Sequence, residues 1–240
     1  MRPSWYALAR GGWRDYVTLL HLPYTAWHLS YVVVGGCLAA DVAWGRLSLA
    51  VLAFALALGI GAHALDELNG RPLRTEIPDR VLLALAIGAV ALACAIGIAV
   101  AVTFDPVLLL FVAAGAFLVP AYNLELLGGR FHSDLWFALA WGALPLLTGY
   151  AASAGRVSAG AVVAAVWATL LSLAQRRLST PVRRLRRQVT AVRGELELAD
   201  GTVESLDAAA LTEAPEAALR LLTLATIALA AALVVVRLYS

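Results

Sequence analysis

Lysine is missing from this 240-residue chain, so all 18 basic residues are arginine. No lysine amine is present for Schiff-base chemistry. Charge is sparse as well: 14% of the residues are charged, against about a quarter in an ordinary soluble domain. The formal net charge of +2 is too small to imply a nucleic-acid partner. The two cysteines, Cys37 and Cys94, fall in separate apolar stretches and read as small buried hydrophobes, not as a disulfide. No cleavable signal peptide is expected, because Met1–Tyr16 is polar and the first apolar stretch already has the length of a full span.

Hydrophobic residues make up 62% of the chain, with a mean hydropathy of +0.82. They run in long blocks without amphipathic spacing. A helix of about 20 apolar residues crosses the hydrocarbon core of a bilayer, and only helices or closed barrels satisfy their own backbone there. The blocks are too long and too uniform for barrel strands. The fold class expected is therefore all-α: a polytopic transmembrane bundle forming a single membrane domain over residues 1–240. About seven spans are legible, near Val17–Ala40, Leu47–Asp66, Val81–Thr103, Pro106–Asn123, Asp134–Ala152, Val157–Leu178 and Glu216–Leu238.

The arginines set the orientation. With the N-terminus inside, about fifteen of them lie on the cytoplasmic side, Arg2 included, and Arg46, Arg156 and Arg237 lie on the other. Under the positive-inside rule this makes residues 1–16 a cytoplasmic segment and residues 179–215 a cytoplasmic loop. The expected location is an integral, multi-pass position in a bacterial plasma membrane. Within the loop, Pro181–Val192 places Val182, Leu185, Val189 and Val192 on one stripe, with arginines opposite. That is the pattern of a basic amphipathic helix resting on anionic lipid headgroups. Gly194–Val203 alternates around Asp200-Gly201 and predicts a small β-hairpin.

Ionisable side chains within spans are functional candidates by default. The second span ends in His63, Asp66 and Glu67, at i, i+3 and i+4 on a helix. A carboxylate beside an imidazole can exchange protons or hold a divalent ion; Asp66 and Glu67 are the metal candidates. Asn69, Arg71 and Arg74 follow, and guanidinium forks suit phosphate oxygens. Tyr122, Asn123 and Arg130 lie where the fourth span meets the cytoplasm. His28 lies deepest in the first span, seven residues from His21. His132-Ser133-Asp134 is local in sequence and does not make a hydrolase triad.

Taken together, Ala62–Leu73 with its Gly-Arg-Pro-Leu ending, Tyr122-Asn123 before the aromatic, Gly-rich stretch Trp136–Gly149, and Leu22-Pro23-Tyr24-Thr25 through Gly35-Gly36 resemble the UbiA superfamily of intramembrane prenyltransferases. The resemblance covers roughly residues 10–180. It implies a helical bundle with a cytoplasm-facing cavity that takes an isoprenoid diphosphate, with Mg²⁺, for prenyl transfer or a cyclase-like rearrangement. Carried onto this chain, it assigns acid–base or metal roles to His63, Asp66 and Glu67. It assigns phosphate and substrate contacts to His28, Asn69, Arg71, Arg74, Tyr122, Asn123, Arg130, Arg183 and Arg184. The chain departs from the family pattern at Ala62 and His63, which stand where Asn and Asp are usual. No Asp or Glu occurs between Val157 and Gly194, where the family's second acidic motif falls. Two other readings stand beside this one. One is a non-catalytic lipid- or partner-binding protein of the same fold. The other is an ion-coupled carrier, which predicts inverted repeats, and no internal repeat is legible in the sequence.

Overall fold

A computed structural model describes residues 3–239 and is all-helical apart from one hairpin. The helices are α1 (Trp13–Leu19), α2 (Leu22–Cys37), α3 (Trp44–Leu68), α4 (Asp79–Thr103), α5 (Leu108–Asn123), α6 (Asp134–Ala154), α7 (Ala159–Arg187) and α8 (Ala208–Tyr239). Five of them, α3, α4, α6, α7 and α8, are long and apolar enough to cross a membrane, while α2 and α5 have 16 residues each. The outward faces are greasy, with Val102, Leu110 and Val163 all at least 70% exposed. An apolar exterior of this kind fits an integral membrane protein, because in lipid it costs nothing to leave exposed.

Local chemistry explains where the helices break. His21 takes a left-handed conformation (φ 45°) and splits the expected first span into α1 and α2; Pro23 follows in the first turn of α2. Ser133 and Ser158 cap α6 and α7, accepting hydrogen bonds from the Trp136 and Ala161 amides. Gly155 ends α6 in the left-handed conformation that a residue without Cβ adopts most readily.

Two helices carry π-helical stretches, Ala55–Ala62 in α3 and Leu139–Ala143 in α6. Each adds a residue to the helical turn and re-aims the side chains that follow.

Helix α2 lies at the centre, with Trp27 and Tyr31 fully buried. It meets α6 at a very close crossing, where Gly35 lies against the Leu146 backbone and Gly149 against the Val32 backbone. At one end of the bundle, Arg46 donates to the carbonyls of Ala152 and Ser153. Arg237 there donates to those of Cys37 and Ala39. These guanidiniums cap carbonyls that α6 and α2 leave unpaired at their C-termini. At the opposite end, Arg186 grips Glu216 through two parallel contacts of 2.5 and 2.8 Å, tying α7 to α8.

The expected separate interfacial helix over Pro181–Val192 is corrected by the structure. Helix α7 runs without interruption through Pro181 to Arg187. Ser179 Oγ and Thr180 Oγ1 both donate to the Arg176 carbonyl just before the proline. The hairpin is present: β1 (Glu195–Glu197) pairs antiparallel with β2 (Val203–Ser205), Leu196 opposite Glu204. Arg2, counted above among the inside arginines, lies outside the described residues.

Candidate functional site

A polar cavity of about 320 Å³ opens at the end where α3, α5 and α7 terminate. All four histidines of the chain, His21, His28, His63 and His132, line it. His21 and His63 stack, with ring centroids 4.0 Å apart. The two π-helical stretches position two of these rings. His28 Nδ1 lies 2.8 Å from the Trp141 carbonyl in one stretch, and His63 Nδ1 lies 3.2 Å from the Gly59 carbonyl in the other. His132 Nδ1 lies 3.1 Å from the Tyr122 carbonyl. A carbonyl oxygen only accepts, so in each case Nδ1 carries the hydrogen, and whenever the ring is neutral Nε2 keeps a lone pair.

Charge in the cavity comes mainly from α7. Arg176, Arg183 and Arg187 are spaced seven and four apart, so they form one stripe along the helix, and all three line the cavity. Arg176 is paired with Asp134 at 3.0 Å. Among the described residues, Arg183 and Arg187 have no carboxylate within ion-pair distance; Arg183 reaches the Thr180 hydroxyl at 3.3 Å and Arg187 the Pro3 carbonyl at 3.4 Å. Asp66 is the carboxylate whose charge reaches both, without contact, and two half-buried guanidiniums against one carboxylate leave room for an anion. The lining carboxylates are Asp66 and Glu125. Asp66 makes no hydrogen bond or ion pair within the normal distance limits to any described residue.

Beside Trp5 Nε1, three buried polar atoms here also lack hydrogen-bond partners among the described residues: His21 Nε2, Tyr122 Oη and Gln175 Oε1. Buried polar groups are normally hydrogen-bonded, and all three residues line the cavity. The N-terminal segment closes one side through Ser4, Trp5 and Tyr6. The Tyr6 hydroxyl lies 2.8 Å from His21 Nδ1, and burial pushes the Tyr6 phenol above its ordinary value of 10, so it stays protonated.

The residues singled out from sequence divide cleanly. His28, His63, Asp66, Asn69, Tyr122, Asn123 and Arg183 line the cavity; Glu67, Arg71, Arg74, Arg130 and Arg184 do not. Glu67 is the main correction. Neighbouring helical residues point about 100° apart, so Glu67 turns away from Asp66 and is 0% exposed. Its two oxygens accept from the Leu73 amide, the Thr75 amide and the Thr75 hydroxyl. Glu67 therefore holds the loop after α3 and does not line the cavity.

Arg71 serves the same loop: it donates to the Thr75 and Ile77 carbonyls and pairs with Asp79. Arg74 reaches the Arg187 carbonyl. Arg130 and Arg184 are exposed. Sequence reasoning did not select Gln175, Arg176 or Arg187. Continuing the α7 periodicity through Pro181 would have found Arg176 and Arg187, which share the stripe that carries Arg183; Gln175 lies beside that stripe.

The donor set also bears on magnesium. Among the described residues, no three His, Cys, Asp or Glu side chains group to hold a metal ion. Asp66 and Glu125 are the lining carboxylates, Glu125 lying 3.9 Å from His132, and this pair does not fit a magnesium cluster built from several carboxylates.

Comparison with family models, with curated proteins and with solved structures found no match to this chain.

Proposed function

We propose that this chain is a UbiA-like intramembrane protein, crossing the bilayer seven times with its N-terminus and cavity on the cytoplasmic side of a bacterial plasma membrane. The cavity takes the diphosphate head of an isoprenoid lipid, and the apolar interior takes its chain. The observation that carries this reading is the pair Arg183 and Arg187, two cavity guanidiniums without carboxylate partners. A diphosphate carries about three negative charges, and guanidinium forks match its oxygens. The unpartnered atoms of His21, Tyr122 and Gln175 supply further contacts to a polar head.

The reaction this arrangement supports is prenyl transfer or a cyclase-like rearrangement. The C1–O bond of the prenyl diphosphate breaks, and the diphosphate leaves with the electron pair, held by the arginines. Asp66 stabilises the allylic cation left behind. In transfer, an electron pair from the acceptor forms the new bond to C1, and the acceptor's proton passes to Nε2 of His63. In cyclisation, a double bond of the chain supplies the electron pair, and the proton lost at the end passes to the same nitrogen. A magnesium ion would be held chiefly by the substrate's phosphates, with Asp66 and Glu125 the carboxylates of the lining, so neutralisation is assigned to arginine.

One observation favours a second reading. With Glu67 locked in the loop, Asp66 and Glu125 are the lining carboxylates that remain, and a protein that binds a prenyl lipid without turning it over needs no more. Diphosphate release from short prenyl diphosphates separates the two readings. Release by wild type that falls at least a hundredfold in Asp66→Asn, with binding kept, supports the enzyme. Binding without release, in wild type as in the variant, supports the lipid-binding reading. No binding overturns both.

A further inference from the structure

His21 differs from the other three cavity histidines in what its Nδ1 meets. His28, His63 and His132 each have Nδ1 at a backbone carbonyl, which leaves Nε2 without a hydrogen while the ring is neutral. His21 Nδ1 lies instead 2.8 Å from the Tyr6 hydroxyl, and a hydroxyl can donate. With the phenol donating, a neutral His21 carries its one hydrogen on Nε2. That nitrogen is buried without a hydrogen-bond partner among the described residues, and His21 and Tyr6 both line the cavity.

Both sides of this contact are held in place. On the N-terminal segment, the Leu8 amide donates to Thr18 Oγ1 at 3.0 Å, and the Tyr6 ring packs edge-on against Tyr24 with centroids 5.5 Å apart. His21 keeps a left-handed backbone, φ 45°, which a residue with a Cβ adopts only where its surroundings impose it. Its amide donates to the Thr18 carbonyl, and its carbonyl accepts from the Tyr24 and Thr25 amides. The His21 ring lies on that of His63 at 4.0 Å, the planes 13° apart. Like charges at that distance repel, so at most one ring of the stack is charged.

We infer that Tyr6 is a positioning residue of the head-group site: it donates to His21 Nδ1 and so presents the Nε2 hydrogen of His21 to an oxygen of the ligand's diphosphate. The inference rests on the head-group reading given above. The opposite arrangement, with Nδ1 donating to the phenol, sets a buried Nε2 lone pair against an anion, with no hydrogen between them. In the stacked pair His21 then offers a hydrogen and His63 a lone pair. The leaving diphosphate and the departing proton meet different rings.

The experiment pairs nitrogen NMR of the full-length protein, isotope-labelled in its histidine rings, with calorimetric titration of inorganic pyrophosphate. At about pH 8, above the ordinary histidine value, the wild-type spectrum shows one ring with its hydrogen on Nε2 and three with it on Nδ1. Pyrophosphate shifts the Nε2 signal of the first. That ring is missing from His21→Asn, since asparagine tolerates the left-handed backbone but places no atom where Nε2 was. Tyr6→Phe lowers pyrophosphate affinity about five- to tenfold and His21→Asn about tenfold or more. The double variant Tyr6→Phe/His21→Asn binds no more weakly than His21→Asn alone, because Tyr6 acts through the ring.

A wild-type spectrum with the hydrogen on Nδ1 in all four rings overturns the inference, whether or not either variant folds. Wild-type affinity in a Tyr6→Phe protein that still melts cooperatively overturns it too. Losses that add in the double variant do the same, by making Tyr6 an independent contact. Each of these results leaves the head-group reading standing as long as wild type binds pyrophosphate. Failure of wild type to bind pyrophosphate overturns the head-group reading, and the His21 contact with it.

Discussion

Glu67 and Thr75 are joined twice through one carboxylate oxygen: the Thr75 amide donates to Oε1 at 2.7 Å and the Thr75 hydroxyl at 2.9 Å. The Leu73 amide occupies Oε2 at 2.9 Å. Removing this carboxylate leaves buried donors without acceptors, a cost of about 3 kcal/mol. Glu67→Ala is accordingly expected to lower unfolding stability by that order, measured by denaturant titration in detergent, while the folded fraction binds pyrophosphate as wild type does. A variant with normal stability and lost binding would return Glu67 to the site.

The α2–α6 crossing makes a sharper prediction about packing. A Cβ at Gly149 would lie 2.0 Å from the Val32 carbonyl oxygen, and one at Gly35 would lie 1.9 Å from that of Leu146. Backbone cannot yield as a side-chain tip does, so Gly149→Ala should destabilise by about 2 kcal/mol or more. Gly115→Ala meets open space and serves as the control, with a melting temperature close to wild type.

Tyr122 should show opposed effects on stability and binding. Its hydroxyl is buried without a partner, so Tyr122→Phe removes an unsatisfied group and is expected to leave the unliganded protein as stable or up to about 1 kcal/mol more so. If the hydroxyl meets the ligand's head, pyrophosphate affinity falls about five- to tenfold in the same variant. Thermal melting with and without pyrophosphate reads both effects.

Chelation tests how charge is balanced. With no group of three metal-capable side chains among the described residues, treatment with a chelator should change pyrophosphate affinity by no more than about threefold, the guanidiniums being permanent charges. Loss of binding on chelation, restored by magnesium, would assign the neutralisation to metal.

The membrane-helical class was legible because blocks of apolar residues have one physical explanation in lipid. The Asp200-Gly201 turn was legible because its chemistry is local. His63 and Asp66 were found from helical spacing, but Glu67 was misplaced: four residues from His63 suggests a shared face, and only the returning loop shows that its oxygens already have donors. Pro181 misled in a different way. A proline reads as a helix start, yet α7 continues through it to Arg187, as membrane helices permit. That continuation places Arg183 and Arg187 in the lining of the cavity. The N-terminal contribution of Trp5 and Tyr6 had no periodicity to reveal it, since residues 5–9 form no regular element beyond a turn.

The most direct test is calorimetric titration of inorganic pyrophosphate into wild type, Asp66→Asn and the double variant Arg183→Gln/Arg187→Gln. Each charge-assisted contact is worth about 1.5–3 kcal/mol. The account predicts measurable wild-type binding, equal or tighter binding in Asp66→Asn, and a loss of at least a hundredfold in a double variant that still melts cooperatively. Equal affinity in wild type and the folded double variant would contradict it.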